Sequence, residues 1–233
     1  QQAFESIEVS MPFEGRWVDA AYDVLFTAQQ AGEFELHLWY VPQGVPFSAA
    51  LPPRRREHLE AKQRLPSSPF PLRVLEGAAS SSGSQIKDAS QVRDVRIPAG
   101  QDVVIHPQFR DVWGNPSSPA EGSISATLES PDGSSTTLTL KRQQGLGAFE
   151  VRCDPHEKGR YSLSVCLDGT PISDSPVAFE VTPGAPNGGK SRLLLPGDGQ
   201  PQQIGEVPVE IVLECQDRYG NIVHTGGATV AAR

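Results

Sequence analysis

No stretch of the chain approaches the ~18 uninterrupted apolar residues that a membrane-crossing helix requires, so nothing in it reads as a membrane span. The first residues, Gln-Gln-Ala-Phe-Glu, show neither the basic start nor the apolar core of a secretory signal. Positive charge is not in excess. Twenty Lys and Arg face 28 Asp and Glu, for a net charge of −8. That argues against a general nucleic-acid binder, whose affinity comes largely from neutralising phosphates. Cysteine is scarce, with three in 233 residues, and no Asn-x-Ser/Thr sequon occurs because Asn115 is followed by Pro. Unpaired thiols in a reducing compartment are the expectation.

Residues that carry chemistry are also thinly spread. His37, His58, His106, His156 and His224 fall in no spacing suited to zinc, and no two cysteines form a Cys-x-x-Cys pair. Gly188-Gly-Lys190-Ser191 imitates the tail of a phosphate loop but lacks the strand–loop–helix pattern around it. There is no Gly-x-Ser-x-Gly elbow, and Asp154 and Glu157 lie in a turn where solvated surface is the better reading. Trp17, Trp39 and Trp113 are expected to pack across sheet faces. No catalytic, cofactor-binding or metal-binding residue is assigned, and the chain reads as non-enzymatic.

What is present is alternation. Phe149–Cys153, Gly159–Leu167 and Val177–Val181 each place apolar residues at every second position, the period of a strand with one buried face. Asp168-Gly169 and Pro171–Pro176 break the runs. Further strands are expected at Gln101–Asp111, Ser123–Glu129 and Ser134–Leu140, with a hairpin turn at Pro131-Asp132-Gly133. Parity puts Cys153 on the apolar side of its run and Cys166 on the polar side. Residues 79–93, rich in Ser, Gly and Gln, read as a linker or a loosely held first strand, with regular structure resuming at Val95.

The pattern recurs. Gly32-x-Phe34-x-Leu36-x-Leu38 matches Gly159-x-Tyr161-x-Leu163-x-Val165, and Ser68-Pro69-Phe70-x-Leu72-x-Val74 matches Ser175-Pro176-Val177-x-Phe179-x-Val181. Val209–Asn221 matches Val103–Asn115 at a constant offset of 106, ending in Asp217-x-x-Gly220-Asn221 against Asp111-x-x-Gly114-Asn115. A period near 100 residues with several strands per copy is the size of an immunoglobulin-like sandwich. The expected organisation is the later part of one repeat at 1–76, a complete repeat at 77–183 and the early strands of a further one at 184–233, strung as separate beads. Where secreted immunoglobulin domains often place linked cysteines on facing strands, this chain has Phe109 and Val165.

Gly32 precedes Gly159 by 127 positions and Gly77 precedes Gly184 by 107, so the first copy carries 20 extra residues, around 42–66. Within them Arg54–Arg64 is polar and helix-favouring, with Pro52-Pro53 before it and Pro66 after, and predicts a surface helix of about three turns. Its five cations, Arg54, Arg55, Arg56, Lys62 and Arg64, make it a candidate docking element for an acidic surface such as a tubulin or actin lattice.

Asp111-Val-Trp-Gly-Asn115, Gly159-Arg-Tyr-Ser-Leu-Ser-Val165 and Ser175–Ala185, in this order and recurring, resemble filamin-type immunoglobulin repeats. The resemblance implies an all-β fold of tandem sandwiches, with one short helical insert in the first. It further implies spacer and protein-docking modules that take a partner peptide as an added strand on an exposed sheet edge. Carried onto the middle repeat, that edge is Ser123, Ile124, Ser125, Ala126, Thr127 and Leu128, with Ser135–Leu140 beside it. The implied role is a structural scaffold of the cytoplasm and cytoskeleton, actin-associated or ciliary and axonemal, binding proteins and no cofactor. The alternatives are a tripartite-motif-type ubiquitin ligase and a cell-surface or gamete adhesion protein. Tandem repeats argue against the first, and missing sequons and disulfides against the second.

Overall fold

The computed structural model describes residues 14–18, 21–36, 39–40, 63–64, 66–120, 122–194, 211–226 and 229–231. The chain forms two compact units, Gln1–Glu76 and Gly77–Arg233. In the first unit, β1 (Glu14–Val18) and β2 (Ala21–Leu25) form an antiparallel hairpin. Then come β3 (Gly32–Leu36), β4 (Trp39–Tyr40), β5 (Gln63–Arg64) and β6 (Phe70–Val74). β3 pairs antiparallel with β6, and β4 with β5.

The second unit begins with β7 (Ser80–Ile86), a single helical turn α1 (Ala89–Val92), β8 (Arg96–Pro98), β9 (Val103–Ile105) and β10 (Pro107–Arg110). It continues through β11 (Ile124–Glu129), β12 (Ser135–Leu138), β13 (Leu140–Arg142), β14 (Phe149–Cys153) and β15 (Gly159–Leu167). After β16 (Thr170–Pro171) and β17 (Val177–Thr182) come β18 (Arg192–Leu194) and β19 (Val212–Glu214), which pair with each other. One sheet runs β12-β11-β15-β17-β8, with β16 on the end of β15; the facing strands are β13-β14-β9 and the pair β10-β7.

The alternating residues fill the space between the sheets. Tyr161, Leu163, Val165 and Leu167 of β15 are buried, as are Val177, Phe179 and Val181 of β17 and Phe149, Val151 and Cys153 of β14. Phe109 meets Phe149 edge-on at 5.3 Å, and Tyr161 stacks on Phe179 at 5.6 Å. Side chains of this size stabilise by roughly 1.5–3 kcal/mol each when fully buried, which is what holds two sheets face to face. The three cysteines are free, with Cys153 buried and Cys166 half-buried, as parity predicts. Burial, with Asp154 and Asp102 nearby, pushes the Cys153 thiol up to about 12, so it packs as a small apolar residue.

Two expected strands are each split in two, because the chain changes sheets partway. Gln101–Asp111 breaks at His106, whose N–H donates to Asp88 Oδ1 at 2.9 Å while its carbonyl accepts the Lys87 N–H. The part before the break pairs with β14, and the part after it with β7. Ser134–Leu140 breaks at Thr139 in the same way, with β12 on β11 and β13 on β14. Of the two readings of residues 79–93, the first strand holds and the linker does not. These residues contain β7, with Ser84 and Ile86 buried, and α1. Their small side chains suit a close crossing. A Cβ on Gly83 would lie 2.1 Å from the Asp111 carbonyl oxygen, and the Ser84 hydroxyl accepts the Arg110 N–H and donates to the Ser80 carbonyl.

The matched segments share geometry as well as letters. Gly32 pairs with Val74, Phe34 with Leu72 and Leu36 with Phe70; Gly159 pairs with Val181, Tyr161 with Phe179 and Leu163 with Val177. Residues 184–194 and 211–226 fall in the same compact unit as the middle sandwich.

Candidate docking edge and repeat joint

The expected docking edge is an inner strand over most of its length. β11 is paired on both sides, to β15 through Ile124–Glu129 and to β12 through Ala126–Glu129. The hairpin at Pro131-Asp132-Gly133 causes this. Gly133 N–H donates to the Ser130 carbonyl, Ser130 N–H to the Ser134 carbonyl and Ser134 N–H to Asp132 Oδ1. That tight turn folds Ser135–Leu138 back onto β11 and satisfies its outward groups. Ser123 stands outside the strand, its hydroxyl donating to the Ala120 carbonyl. The outer edge of this sheet is therefore β12. Ser135, Thr136 and Thr137 are exposed on it, with Thr139 following. None of these carries charge, and the position beyond the β12 ladder, alongside Ile124 and Ser125, has no strand among the described residues.

The end of β12 borders a shallow cavity of about 400 Å³ lined by Thr137, Leu138, Lys141, Glu150 and Arg152 among others. Arg152 is already paired with Asp102 at 2.8 Å and Glu150 at 3.4 Å. Among the described residues no group of three His, Cys, Asp or Glu could hold a metal ion.

Of the basic insert, Arg54, Arg55, Arg56 and Lys62 lie outside the described residues. Arg64 is in β5, so the helix expected over Arg54–Arg64 does not extend through its last two residues, which pair as strand with Trp39–Tyr40. Trp113 does not pack across a sheet face. It is 56% exposed at the tip of the turn after β10.

That turn is densely hydrogen-bonded. Asp111, 1% exposed, accepts the N–H groups of Trp113 and Asn115 on Oδ1, both at 2.9 Å. Its Oδ2 accepts Asn115 Nδ2 at 2.8 Å and the Gly77 N–H at 3.0 Å. Gly114 takes φ +86°, a left-handed position that glycine adopts without cost. Burial pushes the Asp111 carboxyl up, but the hydrogen bonds from the Asn115 side chain and from the Gly77, Asn115 and Trp113 N–H groups outweigh it. The net shift is below the usual carboxylate value.

Asp217 repeats the arrangement. Oδ1 accepts Tyr219 N–H and Asn221 N–H, both at 2.9 Å; Oδ2 accepts Asn221 Nδ2 at 2.8 Å and Gly184 N–H at 2.9 Å. Burial again raises its carboxyl, and the Asn221 side chain with the Gly184, Asn221 and Tyr219 N–H groups lowers it further. The turn-stabilising role of Asp111 is legible in the residue types. Its hold on Gly77, 34 positions away, is not. The one signal for it is that a glycine recurs at the matching place, Gly184, 33 positions before Asp217.

Residues 79–178 match the family model described as the Filamin/ABP280 repeat. Among solved structures, the chain is similar to the Lin-41 filamin domain at 26% identity, over 46% of this chain and all of that one, with a TM-score of 0.40. It is also similar to FdeC, an adhesin of Escherichia coli, at 19% identity, over 70% of this chain and 49% of that one, with a TM-score of 0.45. Invasin, a bacterial integrin-binding protein, aligns at 14% identity over 70% of this chain and 31% of its own, with a TM-score of 0.42. No curated protein matches the chain.

Proposed function

We infer that this chain, whose residues 79–178 are a filamin-type immunoglobulin-like repeat, is a non-enzymatic scaffold that spaces other elements and docks proteins by β-strand addition. The observation that carries the reading is β12. It is an uncharged, solvent-exposed strand at the rim of a sheet, rich in Ser and Thr, with no lysine, proline or bulge to discourage pairing. An extended peptide laid along it would satisfy its outward N–H and C=O groups, and alternate side chains would select the sequence.

The test uses a displayed library of extended peptides selected against the 233-residue chain. Bound peptides are expected to shift the amide resonances of Ser135–Leu138 and of Ile124 and Ser125. Thr136→Lys should abolish binding while changing stability by less than about 0.5 kcal/mol, as an exposed substitution does. Selected peptides that map elsewhere, or that bind the Thr136→Lys protein equally well, would sink the reading. On this view the chain works in the cytoplasm at the cytoskeleton, on an actin or axonemal lattice, and the cations of Arg54–Arg64 supply the contact to that acidic surface.

A further inference from the structure

The Asp217 turn bonds to more than itself. Asn221, within the segment 211–226, reaches the middle sandwich with both ends of its amide. Its Oδ1 accepts the Lys158 N–H at 2.9 Å, and its Nδ2 donates to the His156 carbonyl at 2.7 Å. The same Nδ2 donates to Asp217 Oδ2 at 2.8 Å, and Asp217 Oδ2 in turn accepts the N–H of Gly184, the second residue after β17 ends. Beside these bonds the Tyr219 ring stacks on His156, with centroids 4.2 Å apart and planes 13° apart. Tyr219 also lies against Gly100, where any side chain would collide with it. Gly100 is held in turn by its N–H bond to the Pro155 carbonyl.

We propose that the Asp217-x-x-Gly220-Asn221 turn is a connector that seats the segment 211–226 on the sandwich before it, with Asn221 as the bridging residue of the joint after residue 183. Three features support this beyond the role of the turn in its own fold. The groups that Asn221 satisfies are main-chain atoms of the β14–β15 turn, so the seat is indifferent to the side chains there. Asn221 is 8% exposed and Asp217 1%, so their bonds are shielded from water. The N–H of Gly184, the second residue after β17, is captured by Asp217.

The full chain provides the test. Residual dipolar couplings of residues 80–182 and 211–226 are expected to fit one alignment tensor, and the Lys158 amide should be protected from hydrogen exchange. In Asn221→Ala, Lys158 should exchange about tenfold faster, the loss of one such bond, while Leu163 and Val165 keep their protection. The two sets of couplings should then need separate tensors. His156→Ala, on an exposed turn, removes the ring stack and the exposed His156–Asp154 contact but leaves the Asn221 bonds, and should shift the couplings in the same direction by less. A single tensor and unchanged Lys158 exchange in both variants would overturn the proposal. Loss of protection throughout 211–226 in Asn221→Ala, with no change at the joint in His156→Ala, would also overturn it, since Asn221 would then serve only its own turn.

Discussion

Four hydrogen bonds converge on the Asp111 carboxylate, two on each oxygen, and every donor is fixed by the backbone or by Asn115. An amide in its place would offer one acceptor oxygen and turn an NH₂ toward donors. Asp111→Asn is therefore expected to destabilise the second unit by about 2–4 kcal/mol in urea unfolding, since each buried donor left unsatisfied costs about 1–3 kcal/mol. The pH dependence follows from the direction of the shift. The folded carboxyl lies below its ordinary value of 3.8, so its contribution is fully present above that value and is lost only as pH falls through the lower folded one. The difference between wild type and Asp111→Asn should be constant from pH 7 to pH 5 and shrink only below pH 3.8. At this scale the sequence showed the identity of the turn but not its reach. The Asp, Gly and Asn residues announce a local conformation, whereas the bond to Gly77 joins segments that only the fold brings together.

Strands whose two faces differ were readable. Tyr161, Leu163 and Val165 alternate with Arg160, Ser162 and Ser164, and the buried set is the apolar one. β7 was only half readable, as a linker or a loosely held first strand, because it is held by closeness rather than by hydrophobic bulk. Its glycine and serines let it cross Arg110–Asp111 at a separation that admits no Cβ at position 83. Gly83→Ala should force β7 away from β10 and cost upwards of about 2 kcal/mol, read as a lowered melting temperature with the mean residue ellipticity little changed. Which strand of the expected docking region, Ser123–Leu128 or Ser135–Leu140, lies outermost was not readable for a related reason. Alternation identified β11 as a strand, but which neighbour lies on each side depends on the hairpin register, and that placed β12 outermost. The sheet changes at His106 and Thr139 are also invisible to a period of two, since alternation continues through them while the partners change.

For the whole molecule, the recurrence of segments pointed to tandem sandwiches, and the paired registers of β3–β6 and β15–β17 agree in detail. Repetition alone did not reveal that the Asp217–Asn221 turn bonds to the sandwich before it, because a repeat unit says nothing about its joint. The role of the charged insert belongs to this scale too. Replacing Arg54, Arg55 and Arg56 with Gln should weaken co-sedimentation with an actin or microtubule polymer and flatten its dependence on salt, with no change in melting temperature. Equal co-sedimentation would remove the insert from the proposed function. The parallel pairing of β8 with β17, Arg96 beside Glu180, Ile97 beside Val181 and Pro98 beside Thr182, has a consequence for load. Once β7 and α1 have given way, tension drawn between the two ends of this sandwich pulls those strands along their common axis in opposite senses. The ladder is then sheared as a set, together with the 2.7 Å Arg96–Glu180 ion pair, instead of being unzipped one rung at a time.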